Sequence, residues 1–463
     1  MAKAAARDRP AYRCAECGWH SAQWVGRCGE CQAWGTVEDT TAVVVRTTSA
    51  GPVSAAARPI GEVDVEAARS RSCGVPELDR VLGGGLVPGA VLLLAGEPGV
   101  GKSTLLLEVA ARFAEEGRAL YVTGEESTAQ VRLRADRIGA VRDGLFLAAE
   151  TDLAAVLGHL DAVRPDLLVV DSVQAVSSAQ VDGAPGNVSQ VREVAAALIR
   201  VAKERGIATV LVGHVTKDGS IAGPRVLEHL VDVVLHFEGD RHSRLRMVRG
   251  VKNRYGASDE VGCFELTDVG IVGLPDPSGL FLTRQEEPVP GTCVTVTVEG
   301  RRPLVAELQA LVAASPLANP RRTTNGLDSS RVAMVLAVLE RRARVGLMTH
   351  DVYAATVGGV RITEPAIDLA LALAVASAKQ DQPLPAGLVA IGEVGLAGEI
   401  RSVTGVATRL AEAARLGFTT AVVPTDPGVV PAGMRVIEVR DLVGALRAAW
   451  PGATVIPFAS RAH

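Results

Sequence analysis

The sequence predicts an α/β protein whose core is a doubly wound parallel sheet, preceded by a small four-cysteine module and followed by a further carboxy-terminal domain. Three observations carry that expectation. Gly96-Glu97-Pro98-Gly99-Val100-Gly101-Lys102-Ser103-Thr104 stands between an apolar, strand-like run at 90–95 and a helix-like stretch at 105–115. Further short apolar runs at 119–122, 166–171 and 207–213 end in polar residues and are separated by helical stretches, which gathers those polar residues at one edge of a sheet. Near the amino terminus, Cys14-x₂-Cys17 and Cys28-x₂-Cys31 form two knuckles.

The segment Gly96 to Thr104 has the composition of a phosphate cradle. Gly96, Gly99 and Gly101 let the backbone curl so that successive N–H groups point into one concavity, which suits a polyphosphate. Lys102 supplies a mobile charge for the β- and γ-phosphates of ATP, and the Ser103 hydroxyl can ligate Mg²⁺. Asp171 closes the apolar run 166–171, where it would stand beside the same Mg²⁺. The run at 119–122 leads into Thr123-Gly124-Glu125-Glu126; a carboxylate there can polarise the attacking water. Glu125 is the expected base and Glu126 its substitute. His214 and Thr216, after the run at 207–213, are candidates to sense the γ-phosphate, with a purely structural histidine at a strand end as the alternative.

The cysteine spacing fits a tetrahedral structural Zn²⁺ site, each knuckle presenting two sulfurs to one ion, with Gly18 and Gly29 as turn formers. A segment this short buries little core, so the metal is expected to hold it together. Trp19, Trp24 and Trp34 cluster around the knuckles, able to pack the module or to stack on a base or a partner. Cys73, Cys263 and Cys293 are scattered and have the look of ordinary buried thiols.

A chain of 463 residues exceeds what one core usually organises, and 48% hydrophobic residues suffice for burial. No apolar run reaches the roughly 20 residues needed to span a bilayer, so a cytoplasmic address away from membranes is expected. The net charge of −4 does not announce nucleic acid, and any such binding must come from local basic surface. Composition divides the chain into a zinc module (1–40), a linker (41–72), an ATPase core (73–273), a proline-rich linker (274–290) and a carboxy-terminal domain (291–463).

Between 231 and 256 an apolar run is followed by Arg241, Arg244, Arg246 and Arg249 and then by Lys252-Asn253-Arg254-Tyr255-Gly256; the alternation suggests a strand with one basic face. Lys252 and Arg254 are candidates to reach a neighbouring subunit's γ-phosphate. Such a finger is worth roughly 10³–10⁵ in rate and makes hydrolysis depend on assembly.

The cysteine knuckles with Cys28-Gly29-Glu30-Cys31-Gln32-Ala33-Trp34, the loop at 96–104, the strand end Tyr121 to Ser127 and the pentapeptide 252–256 together resemble the bacterial RadA (Sms) DNA repair family from end to end. The family's pentapeptide usually reads Lys-Asn-Arg-Phe-Gly, so Tyr255 is a mild departure. The resemblance implies a hexameric RecA-like ATPase that binds single-stranded DNA and translocates on branched recombination intermediates alongside the RecA recombinase. The loop 177–190 and the segment 217–225 fall where RecA-like proteins place DNA-contacting loops, with Lys217 and Arg225 as candidates for phosphate contacts. Residues 358–405 resemble the Lon-type peptidase domain, which implies an α+β fold, but Ala366 stands where its serine belongs and its lysine position falls near Ala407, and without them acyl transfer has no nucleophile or base. That domain is then expected to be an assembly and DNA-contacting scaffold, with Arg301, Arg302, Arg321, Arg322 and Arg361 as backbone contacts. The alternative function is a nucleotide-regulated RecA-fold scaffold without translocation.

Overall fold

The computed structural model describes residues 12–39, 57–62, 65–214, 224–239, 244–283, 287–359 and 361–450. Met1–Asp64 and Val65–His463 form two units. In the first, β1 (Tyr12–Cys14) pairs antiparallel with β2 (His20–Ser21) and β3 (Val37–Asp39). Its interior is minimal: Cys14, Cys28 and Val37 are buried, with Tyr12, Trp19 and Val25 packed around them.

The second unit opens with α1 (Pro76–Leu82) and the strand β4 (Val91–Gly96), which feeds α2 (Lys102–Phe113) through the glycine-rich loop. There follow β5 (Ala119–Thr123), α3 (Thr128–Arg137), β6 (Leu145–Ala149), α4 (Leu153–Val163) and β7 (Leu167–Asp171). The core then continues through α5 (Val188–Arg205), β8 (Ala208–His214), α6 (Pro224–Glu228) and β9 (Val233–Glu238). The antiparallel strands β10 (Leu245–Asn253), β11 (Val261–Thr267) and β12 (Gly270–Gly273) complete a nine-stranded sheet ordered β12-β11-β10-β9-β4-β8-β7-β5-β6. The strands from β9 to β6 are parallel throughout, and β8 is inserted between the strand that feeds the loop and the strand that ends in Asp171. Because side chains alternate along a strand, β4 feeds two cores. Leu92 and Leu94 pack with Leu105, Leu106 and Val109 on one face, while Val91, Leu93 and Ala95 pack with Val194 and Leu198 on the other. Both faces being covered explains why these strands are continuous apolar runs in the sequence.

The carboxy-terminal domain contains β13 (Thr292–Glu299), β14 (Arg302–Ala314), β15 (Arg322–Asn325), α7 (Ser329–Arg342) and β16 (His350–Thr356). It continues with α8 (Asp368–Gln380), β17 (Leu388–Ala390) and the hairpin of β18 (Glu393–Val394) and β19 (Ile400–Arg401). Last come α9 (Val406–Arg415), β20 (Thr420–Pro424), β21 (Arg435–Val439) and α10 (Leu442–Ala449). Seven strands form a mixed sheet ordered β15-β16-β14-β13-β17-β20-β21. Helix α8 is buried from Asp368 to Ser377, the behaviour of a helix apolar on every side, and α7 and α10 pack with it in one core.

Three expectations need correction. The proline-rich stretch 274–290 does not run as a free linker: the Leu274 amide bonds to the Cys263 carbonyl at 2.7 Å, and Pro277 and Phe281 are buried. Prolines interrupt ladders, but they do not keep an aromatic ring out of a core. Arg302 is not a DNA-facing arginine. It is 4% exposed, paired with Glu77 of α1, and its Nη2 donates to the Leu274 and Pro275 carbonyls at 3.2 and 2.6 Å. Strand β10 also lacks a continuous basic face. Arg246 is buried and Arg249 pairs with Glu299 at 2.8 Å, leaving Arg244 exposed. The alternation that suggested such a face describes side-chain direction only, and here a neighbouring domain covers part of that surface. Among the described residues, no helix is long and apolar enough to cross a membrane.

Candidate nucleotide and metal sites

The glycine-rich loop leaves the carboxyl end of β4 and winds directly into α2, whose first residue is Lys102. Two glycines are required by contact and conformation. A Cβ on Gly96 would lie 2.4 Å from the Phe237 carbonyl oxygen, and Gly101 has φ +109° with Ile271 Cδ1 at 2.7 Å from the position a Cβ would take. Lys102 is 4% exposed, and its Nζ donates to the carbonyls of Gly96 and Glu97, both at 2.8 Å. Burial lowers its ammonium to about 8, partly opposed by the carboxylates of Asp171 and Glu125. The charges of Asp171, which ends β7, and Glu125, which follows β5 at the same edge of the sheet as the loop, are thus felt at Lys102. Ser103 lies on the first turn of α2, with Thr104 after it.

Asp171 ends β7, two strands from β4, and accepts a hydrogen bond from the Tyr121 hydroxyl at 2.5 Å. Burial, with the Asp171 charge beside it, raises the Tyr121 phenol well above its usual range, so the hydroxyl remains a donor. Glu125 and Glu126 are placed differently. Glu125 is exposed, accepts from the Ser172 hydroxyl, and lies 3.1 Å from His214 Nε2 at the end of β8. Glu126 is taken up in an ion pair with Arg134 of α3, and its amide donates to Thr123 Oγ1 at 3.1 Å. The substitute base is thus tied into a local structural arrangement.

Lys252, Asn253 and Arg254 lie at the other end of the sheet. Lys252 Nζ donates to the carbonyls of Glu228 and Val231, both at 2.8 Å, and Asn253 Nδ2 donates to those of Val81 and Leu82 at 3.3 and 3.1 Å. Arg254 pairs with Asp232 at 2.9 Å. Burial opposes ionisation of Asp232, but the Val91 amide, Lys203 and Arg254 together hold its carboxyl below the usual range. Since Val91 begins β4 and the loop leaves at Gly96, these cations are separated from their own loop by about 16 Å of strand.

The loop 177–190 is closed on itself by buried Gln190, whose side chain accepts from the Ser178 amide at 2.8 Å and donates to the Ser178 carbonyl at 3.1 Å. Thr216, Lys217 and Arg241 lie outside the described residues. Arg225 falls on α6, and its side chain is likewise outside them. Ala366 is buried in a turn before α8, and Ala407 sits in the first turn of α9. Motif spacing missed Tyr121, Ser172 and Asp232. Each acts through a partner distant in sequence, and only Ser172, directly after the acid, had a local cue.

In the cysteine module, the Sγ atoms of Cys14, Cys17, Cys28 and Cys31 all lie within 4.8 Å of one another, with Cys14–Cys31 at 3.7 Å and Cys17–Cys28 at 3.5 Å. Four sulfurs at about 2.3 Å from one tetrahedral ion are about 3.8 Å apart, whereas a disulfide needs about 2.05 Å, so the set fits zinc. The first knuckle closes at Gly18 (φ +77°), as expected, but the left-handed residue of the second is Gln32 (φ +58°). Gly29 serves a different purpose: a Cβ there would lie 2.7 Å from the Trp19 ring. Trp19 packs on the module, whereas Trp24 and Trp34 are exposed and Arg27 lies over Trp34 at 5.7 Å.

Comparison with known proteins agrees with this geometry. A family described as an AAA domain matches residues 56–220, and the rubredoxin metal binding domain matches 12–39. Residues 357–427 match subunit ChlI of Mg-chelatase. The chain is 56% identical to a DNA repair protein RadA of Mycobacterium tuberculosis, covering 96% of this chain and 93% of the relative. Identity is 55% to the protein of that name from Mycolicibacterium smegmatis (96% and 97% covered) and 48% to that from Pseudomonas aeruginosa (96% and 99% covered). A solved KaiC-like protein of Pyrococcus horikoshii aligns over 45% of this chain and 100% of its own at 24% identity, with a TM-score of 0.37. A four-cysteine metal-binding module, an AAA-type ATPase domain and near full-length identity well above 40% lead to one assignment: the chain belongs to the RadA family of DNA repair proteins.

Proposed function

We propose that the chain is a DNA-stimulated ATPase of recombinational repair, working as a ring, hexameric in its family resemblance, in which each subunit completes its neighbour's nucleotide site. The placement of Lys252 and Arg254 carries this reading. They lie about 16 Å along the sheet from their own loop, so any contact they make with a γ-phosphate is with that of another copy. Single-stranded and branched DNA as substrates, and the RecA recombinase as partner, are what the family resemblance adds. The loop 177–190 and the region of Lys217 and Arg225 are the proposed DNA-facing elements.

Within one subunit, the amides of the 96–104 loop receive the phosphates. Lys102 exchanges the Gly96 and Glu97 carbonyls for phosphate oxygens, whose negative charge offsets the burial that disfavours its ammonium. Ser103 and Asp171 are the residues that would hold Mg²⁺, which when bound neutralises phosphate charge. Glu125 accepts a proton from the attacking water, oriented by Ser172 and His214. The carboxy-terminal domain is a scaffold and not a peptidase, since Ala366 and Ala407 supply neither nucleophile nor base.

The test is steady-state ATP hydrolysis with and without single-stranded DNA at fixed salt, with Lys102→Ala as the blank. Stimulation by DNA is expected, together with partial rescue when Lys102→Ala and Arg254→Ala chains are mixed. Hydrolysis indifferent to DNA shifts the reading to a nucleotide-regulated scaffold, and absence of rescue removes the shared site.

A further inference from the structure

We infer that Arg246 is a positioning residue of the phosphate loop, its guanidinium holding the peptide between Val100 and Gly101 in the conformation that receives a polyphosphate. The inference rests on the reading of 96–104 as a nucleotide site. It also gives a role to a residue that the basic alternation of β10 would have left on the surface.

Arg246 is 5% exposed, and its Nε donates to the Val100 carbonyl at 3.0 Å, while Nη1 donates to the Leu245 carbonyl at 2.8 Å. The Val100 carbonyl and the Gly101 amide belong to one planar trans peptide, so their C=O and N–H vectors point in opposite directions. Anchoring the oxygen on the side of β10 therefore directs the Gly101 N–H away from that strand, and Gly101 immediately precedes Lys102. The path of the side chain is built into its surroundings. A Cβ on Gly239 would lie 2.3 Å from Arg246 Cδ, so the glycine directly after β9 leaves the room the guanidinium passes through. Beside it, Ile271 of β12 supports the loop at Gly101, where a Cβ would come within 2.7 Å. A buried cation beside the loop also adds positive potential where phosphates must bind, although it does not itself touch them.

The test is titration of the full chain with a fluorescent ADP analogue, alongside steady-state ATP hydrolysis, for the parent, Arg246→Met, Arg246→Lys and Lys102→Ala. Loss of a charge-assisted hydrogen bond predicts binding about tenfold or more weaker in Arg246→Met. KM for ATP should rise in proportion and kcat stay within about threefold, because the guanidinium lies outside the reacting atoms. Arg246→Lys keeps the charge but not the Nε position, and should recover part of the affinity. If the parent binds no nucleotide, the reading of the loop fails. If the parent binds, Lys102→Ala does not, and Arg246→Met matches the parent, this inference alone is overturned, whatever happens to the melting temperature. Should Arg246→Met not fold, Arg246→Lys decides: affinity equal to the parent overturns the inference, and weakened affinity with kcat preserved supports it.

Discussion

Replacing Arg302 with Met should destabilise the chain more than any surface arginine change, by an amount that can be worked from its contacts. Arg302 and Glu77 are each 4% exposed at the side chain and form an ion pair between β14 and α1. The guanidinium also donates to the carbonyls of Val261, Leu274 and Pro275, and Glu77 accepts from the Cys263 amide at 2.9 Å. Removing the arginine strands a buried carboxylate and three carbonyls, and breaking one side of a buried pair costs about 3–5 kcal/mol. Glu77→Leu alone strands a guanidinium that keeps its carbonyl partners, for which about 3 kcal/mol is expected. Independent effects would sum to about 7 kcal/mol. Since the double variant leaves no unpaired charge, it should lose only about 4 kcal/mol, a coupling of roughly 3 kcal/mol. Urea denaturation followed by far-ultraviolet circular dichroism, compared at common slope, measures all three variants. The differences should persist in high salt, because a pair this buried is little screened. A single-variant loss below about 1 kcal/mol, or additivity in the double variant, would refute the claim that this pair joins the two domains.

Burial lowers Lys102 in the folded chain from its ordinary 10.5 to about 8. The unfolded chain therefore holds a proton that the folded chain has lost between about pH 8 and 10.5, and this residue's contribution to stability rises with pH across that window. Nucleotide restores the ammonium, so calorimetry in buffers of different ionisation enthalpy should show proton uptake on binding at about pH 8.5 and almost none at about pH 6.5; equal uptake at both contradicts the assignment. Glu125→Gln should lower kcat by about 10²–10⁴ with nucleotide affinity retained, whereas Glu126→Gln should mainly loosen α3 through loss of Arg134; the opposite ranking in single-turnover hydrolysis reverses the base. Gly29→Ala drives a methyl into the Trp19 ring and should speed zinc loss to a chelator several-fold, while Gly26→Ala, with ordinary contacts near 3.7 Å, should not; indistinguishable release rates would show that the Trp19 approach is dispensable.

What the sequence by itself determined is what local chemistry dictates. The loop 96–104, the acids at strand ends and the cysteine knuckles are legible because a phosphate cradle, a strand terminus and a tetrahedral ion each impose residue types at fixed, short spacings. The strand calling cards of β4, β5, β7 and β8 follow from the same cause, since a strand buried on both faces must be apolar throughout. Tertiary structure alone decided the partners of the charged side chains. Arg302 and Arg246 share with Arg244 and Arg301 a composition and spacing that suggest basic surface, yet two are buried and two exposed. Whether an arginine meets water, a carboxylate or a loop carbonyl depends on residues far away in the chain: Glu77 for Arg302, Val100 for Arg246 and Asp232 for Arg254. The same holds for the partners of Glu125 and Glu126. Adjacent carboxylates carry identical local signals, and the direction of each is set by what the folded sheet places opposite it, Ser172 and His214 for one and Arg134 for the other. Spacing specifies which groups can do chemistry, and packing specifies which of them are left free to do it.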